Sequence, residues 1–168
     1  VLEDDYHLWY IAKSYHDGYR DVENLPFGKD HSDEYARRVI FYYNQYLNRM
    51  HDFKNKQHSK SIDDMGYYAC MLIAEAYEWI GDTDMALYYL KVATTFNPRR
   101  NEHYVKLAQM YRKLEQWENM VHVTGILVNP ERTNPFPEFS FLIENSAYFD
   151  TGNLCNELHE IAVNGLNS

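Results

Sequence analysis

The stretch Gly66–Pro98, GYYACMLIAEAYEWIGDTDMALYYLKVATTFNP, decides how the chain is read. Its apolar residues recur at three- and four-residue spacing on both sides of the polar break GDTD, and no part of it alternates with the period of two that a strand requires. The spacing predicts one amphipathic helix to about Trp79, a turn at Gly81–Asp84, and a second helix to about Phe96, which is an αα-hairpin with a short loop. Small residues stand where the two helices must approach. Ala74, Ala86 and Ala93 allow close backbone contact, while Tyr77 and Leu90 fill the space beside them. Pro98 ends the unit because its ring cannot continue a helix.

The same spacing extends outward. Downstream, Tyr104, Leu107, Ala108 and Tyr111 repeat the first-helix pattern, and a second helix is expected from roughly Trp117 to Val128. Upstream, Leu8, Ile11, Ala12 and Tyr15 repeat it once more, with a partner helix expected from about Ser32 to Met50. The intervening YRDVENLPFGKDH is an insertion of about a dozen residues in the turn, where a loop is cheap to lengthen. His51–Ser61 reads as an exposed connector before a helix start at Asp63-Asp64. Asn129–Phe139 carries three of the chain's five prolines and reads as an extended linker. Two further helical patterns, FSFLIENSAYF and LCNELHEIAVNGL, are expected to pack as a final pair that caps the stack. The chain as a whole is expected to be all-α, with hairpins at about 5–50, 63–97 and 101–129 and a capping region at 138–165.

Composition narrows the function classes. The 168 residues are enough for one domain that buries a core without metal or disulfide staples. A net charge of -9 argues against nucleic acid as the main partner, since phosphate binding draws on clustered Lys and Arg, and it disfavours anionic membranes. Cys70 and Cys155 are the only cysteines and form no CxxC, so a reducing, cytoplasmic setting is the expectation. No apolar run approaches the ~20 residues that span a bilayer, and no signal-peptide pattern opens the chain. Because it starts at Val1 and not at Met, the chain reads as a fragment of a longer protein.

Candidate chemistry is sparse. Asp82-x-Asp84 has the spacing of a divalent-cation motif, but it falls in a hairpin turn, where Asp82 or Asp84 would cap exposed N–H groups and complement the helix dipole. The eight histidines never fall at i and i+4 within one helix, and His159-Glu160 lacks the second His of HExxH. No GxSxG, P-loop or GxGxxG occurs. Cys70 occupies a small-residue packing position and reads as a buried thiol. No catalytic residue, metal ligand or cofactor is expected in this chain.

The hairpin resembles the tetratricopeptide (TPR) repeat, whose period is ~34 residues. The family's packing positions fall on Cys70, Ile73, Ala74, Tyr77, Ala86, Leu90, Ala93 and Pro98, and again on Leu107, Ala108 and Tyr111. Met120 and Thr124 depart from it, standing where the family prefers Ala and a large residue. The resemblance implies a TPR-like antiparallel helix-hairpin solenoid of about three repeats with an atypical C-terminal helix pair. It also implies a concave groove lined by Tyr6, Trp9, Lys13 and His16, then Tyr68, Met71, Glu75 and Glu78, then Glu102, Val105, Gln109 and Arg112.

In segment order the chain further resembles the C-terminal helical region behind the catalytic domain of a set of family 2 glycosyltransferases. The opening pattern is matched by Trp9, Tyr10, Ile11, Ala12, Ser14, Tyr15 and Asp17, and a Pro-x-Arg-x-Glu joint by Pro98, Arg100 and Glu102. Later segments are matched by Leu142, Ile143, Glu144 and Tyr148, and by Asn156, Glu157, Leu158, Ile161 and Ala162. The implied function is a non-catalytic scaffold or interaction module. Its parent's catalytic domain, nucleotide sugar and divalent cation would lie upstream of Val1. The alternative is a freestanding TPR adaptor that holds a peptide or protein partner in its groove. Arg100 and Glu102 would pair locally or bridge adjacent hairpins, leaving Arg99 to solvent.

Overall fold

A computed structural model describes residues 2–22, 28–54, 60–98, 100–129 and 153–168. Among them every regular element is an α-helix, in agreement with the all-α expectation. The helices are α1 (Leu2–Val22), α2 (Gly28–Lys54), α3 (Lys60–Trp79), α4 (Thr83–Phe96), α5 (Glu102–Lys113), α6 (Trp117–Val128) and α7 (Asn153–Asn167). The Pro-rich linker beyond Asn129 and the first of the two capping helices lie outside the described residues, as do Arg99 and the side chain of Tyr6.

Helix ends differ from the sequence reading at α2 and α3. Helix α2 starts at Gly28, runs past Met50 to Lys54, and α3 starts at Lys60, so helix enters the supposed connector from both sides. The reason is local. HDFKNKQHSKS contains no Gly or Pro to stop a helix, and its polar residues carry no apolar periodicity to mark one.

The chain forms two compact units, residues 1–89 and 90–168, with the boundary inside α4. In the first, α2 packs against both α1 and α3 around Leu8, Ala12, Ala36, Val39, Tyr43, Tyr46, Ala69, Ile73 and Ala76. Each large apolar side chain buried there contributes about 1.5–3 kcal/mol. Stacked tyrosines join the helices here: Tyr15 stacks on Tyr42 with ring centroids 5.8 Å apart, and Tyr77 stacks on Tyr89 at 5.6 Å. The Tyr89 hydroxyl then donates to Asn44 Oδ1 of α2 at 2.6 Å, tying the second hairpin to the first.

In the second unit α6 packs between α5 and α7, and α7 also touches α5. Met120, Val123, Leu127, Leu158 and Ala162 are buried there. Two of the contacts between α6 and α7 are specific. Gly165 lies directly under the Trp117 indole, so close that an added Cβ would overlap the ring. The Thr124 hydroxyl donates to the Met120 carbonyl at 2.8 Å and shares a 2.9 Å hydrogen bond with His159 Nδ1.

The turns of the two best-defined hairpins are built alike, 34 positions apart. After α3, the Asp82 N–H donates to Tyr77 O at 2.9 Å and the Gly81 N–H to Glu78 O at 3.1 Å. After α5, Gln116 N–H donates to Tyr111 O at 2.9 Å and Glu115 N–H to Arg112 O at 3.1 Å. This is the Schellman arrangement, in which a left-handed residue lets the chain reverse while still closing the last carbonyls of a helix. Gly81 (φ 82°) and Glu115 (φ 55°) hold that left-handed position.

Two substitutions report on this packing. Gly165→Ala should destabilise the chain by about 1–3 kcal/mol, because overlap with Trp117 outweighs the better helix propensity of Ala. Urea unfolding followed by tryptophan fluorescence measures it. Tyr89→Phe should cost about 1–2 kcal/mol, since it leaves the half-buried Asn44 oxygen without its donor. Thermal unfolding by circular dichroism reads that loss.

Candidate functional site

The face that α1 and α3 share is where the groove residues of the first unit would stand. There the structure joins two of them directly: His16 Nε2 lies 3.0 Å from Glu75 Oε2, across 59 residues of sequence. His16 is buried. Its ring lies 5.0 Å from that of Trp79, which in turn stacks flat on Tyr19 at 3.7 Å. The other nitrogen, Nδ1, is 3.7 Å from Asp17 Oδ1, so both ring nitrogens face carboxylates. Asp17 also receives a 2.8 Å hydrogen bond from the Lys13 ammonium, which holds its carboxyl below the ordinary value. The four groups form a polar staple between the two helices.

The remaining groove candidates of this unit are dispersed. Tyr68 is 43% exposed, and Met71 and Glu78 are half-buried. Trp9 is half-buried and sits edge-on against the buried Tyr43 and Tyr46 of α2, with centroids at 5.0 and 5.3 Å, packed against the core. Aromatic character at a helix position does not by itself say which side of the helix carries the neighbour.

In the second unit, Gln109 and Arg112 are exposed, and Glu102 and Val105 are half-buried. At the joint, Arg100 is buried to 5% exposure and its Nη1 donates to Glu102 Oε1 at 3.3 Å. Of the two pairings left open by the sequence, this one is local. The Tyr104 hydroxyl donates to the Pro98 carbonyl at 3.0 Å, fastening the joint to α5. The packing positions Cys70, Ile73, Ala74, Ala86, Leu90, Ala93, Leu107, Ala108 and Tyr111 are buried, Pro98 also, and Tyr77 is half-buried.

Several polar groups escaped the sequence reading. Asn97, Asn101 and His103 are all buried beside Arg100, and the His103 ring lies 3.8 Å from that of Tyr104. Their clustering within seven residues was visible, but polar residues ahead of a helix usually read as an exposed turn. Thr124 and His159, 35 positions apart, had no signal that paired them.

In the turn, Asp82 Oδ1 accepts the Met85 N–H at 3.2 Å, so the carboxylate of the Asp-x-Asp pair that begins α4 serves as its N-cap. Among the described residues, no group of three or more His, Cys, Asp or Glu is placed to hold a metal ion, and no helix is long and apolar enough to cross a membrane. No protein-family model matches the chain, and no curated protein or solved structure is significantly similar to it.

The staple can be read by titration. Lys13→Ala removes the hydrogen bond and charge that favour ionised Asp17, so the Asp17 carboxyl should titrate at higher pH than in the parent chain. Side-chain carboxyl shifts in an NMR pH series measure it; an unmoved midpoint would mean that Lys13 is not the controlling neighbour.

Proposed function

We propose that this chain is a TPR-like helical-repeat scaffold, the C-terminal region of a glycosyltransferase whose catalytic domain lies upstream. One observation carries the repeat reading: the same Schellman hydrogen bonds close the turns at Gly81 and Glu115, at the spacing of the TPR period. The paired tyrosines of the first two hairpins and the direct link between their first helices, His16 to Glu75, support it further. The glycosyltransferase part rests on the order of segments, with Pro98, Arg100 and Glu102 as the joint. In this reading the chain works in the cytoplasm. Nucleotide sugar and divalent cation belong to the upstream domain, and the partner of the helical faces is that domain.

The natural reading frame tests it. The frame should continue upstream of Val1 into a glycosyltransferase domain containing its own Asp-x-Asp; a gene encoding only these residues overturns the proposal.

A second reading, a freestanding adaptor, is favoured by the exposure of Tyr68 on α3 beside Met71. A peptide array probed with the chain should then show binding that Tyr68→Ala weakens about tenfold, as loss of an aromatic anchor does. Absence of any bound peptide removes the adaptor.

A further inference from the structure

The two matched turns differ in what holds them. At the first, glycine takes the left-handed position and Asp82 caps the next helix through its side chain. At the second, Glu115 takes the left-handed position, where a Cβ crowds the following carbonyl. Its neighbour Gln116 makes no side-chain cap to α6 and instead accepts from Asn119 Nδ2 at 3.0 Å. The backbone bonds are the same length in both turns, so the difference lies in conformational strain and capping alone. Helix α6 is further weakened where Thr124 turns its hydroxyl back onto the Met120 carbonyl, a bond that competes with regular helix geometry.

What rides on that turn is more than α6. Trp117, the first residue of α6, is packed on Gly165 near the end of α7, and Thr124 in its middle is bonded to His159 in the middle of α7. The two helices therefore share contacts at two levels of their length, and motion of one carries the other.

The geometry points to Leu114–Gln116 as a built-in hinge, from which α6 and α7 open together as one local unit while the turn of the α3–α4 hairpin stays closed. Opening of this kind is ordinary for native proteins, where cooperative segments unfold ahead of the whole. It would uncover the apolar faces of Met120, Val123, Leu127, Leu158 and Ala162. The missing cap and the strained left-handed residue each shift the opening equilibrium about fivefold, about twenty-five-fold together.

Native-state hydrogen exchange on the full chain tests it, read by mass spectrometry. Amides of α6 and α7 should exchange through a common opening, with the same dependence on low urea, and faster than the amides at the start of α4. The double variant Glu115→Gly/Gln116→Asp installs the devices of the first turn in the second. It should slow exchange in both α6 and α7 by about twenty-five-fold and leave the start of α4 unchanged. The reciprocal variant, Gly81→Glu/Asp82→Gln, should speed exchange at the start of α4. Slowing confined to α6 would show that α7 does not move with it and overturn the hinge. Uniform slowing across the chain, or no change in α6, would overturn it as well.

Discussion

A helix that ends must reverse the chain within two or three residues and still satisfy its last carbonyls, and the hairpins here depend on that reversal. The turn after α3 and the turn after α5 meet the demand with the same pair of hydrogen bonds and the same left-handed residue. Once it is met, the returning helix runs back along the first, and small residues such as Ala74 and Ala86 sit buried. Length follows from the same constraint. A first helix of fixed register and a turn of fixed geometry place the second helix at a set offset, so Thr83 and Trp117 both begin helices 34 positions apart.

Polar groups do the remaining work of choosing neighbours. Apolar contact is tolerant of small shifts, whereas a hydrogen bond between two buried groups is satisfied in one arrangement and costly in others. His16 with Glu75 fixes α1 against α3, Tyr89 with Asn44 fixes α4 against α2, and His159 with Thr124 fixes α7 against α6. Arg100 is the most expensive of these groups to bury, and its guanidinium is met within two residues by Glu102. Arg100, a cation ahead of α5, is folded inward at the joint instead of standing in solvent.

How much of this was legible depended on the range of the interaction. Helix content, the Gly81 turn and the capping value of Asp82 rest on residues within about one helical turn of each other, and spacing alone carries them. The extension of α2 and α3 into the polar connector was missed because periodicity marks only the buried face of a helix. Trp9 stands at a groove position in the repeat pattern, and its ring contacts with α2 have no local signal. Tyr43 and Tyr46, which hold it, arrive from α2, beyond an insertion whose effect on register no local pattern encodes. Thr124 looked like a defect in a packing pattern until α7 supplied His159.

The sequence by itself therefore determined that the chain is helical, that it is punctuated at Gly81 and Pro98, and which positions have the size to let helices approach. These are properties of backbone conformation and of side-chain volume, which neighbours in sequence are enough to constrain. Only the tertiary structure decided which polar side chains meet, that Arg100 and His103 are buried, and that a glutamate bears the strain of the second turn. Those outcomes require groups 35 to 59 residues apart to be brought within 3 Å, or a residue to accept an unfavourable backbone angle because the hydrogen bonds that close its turn require it.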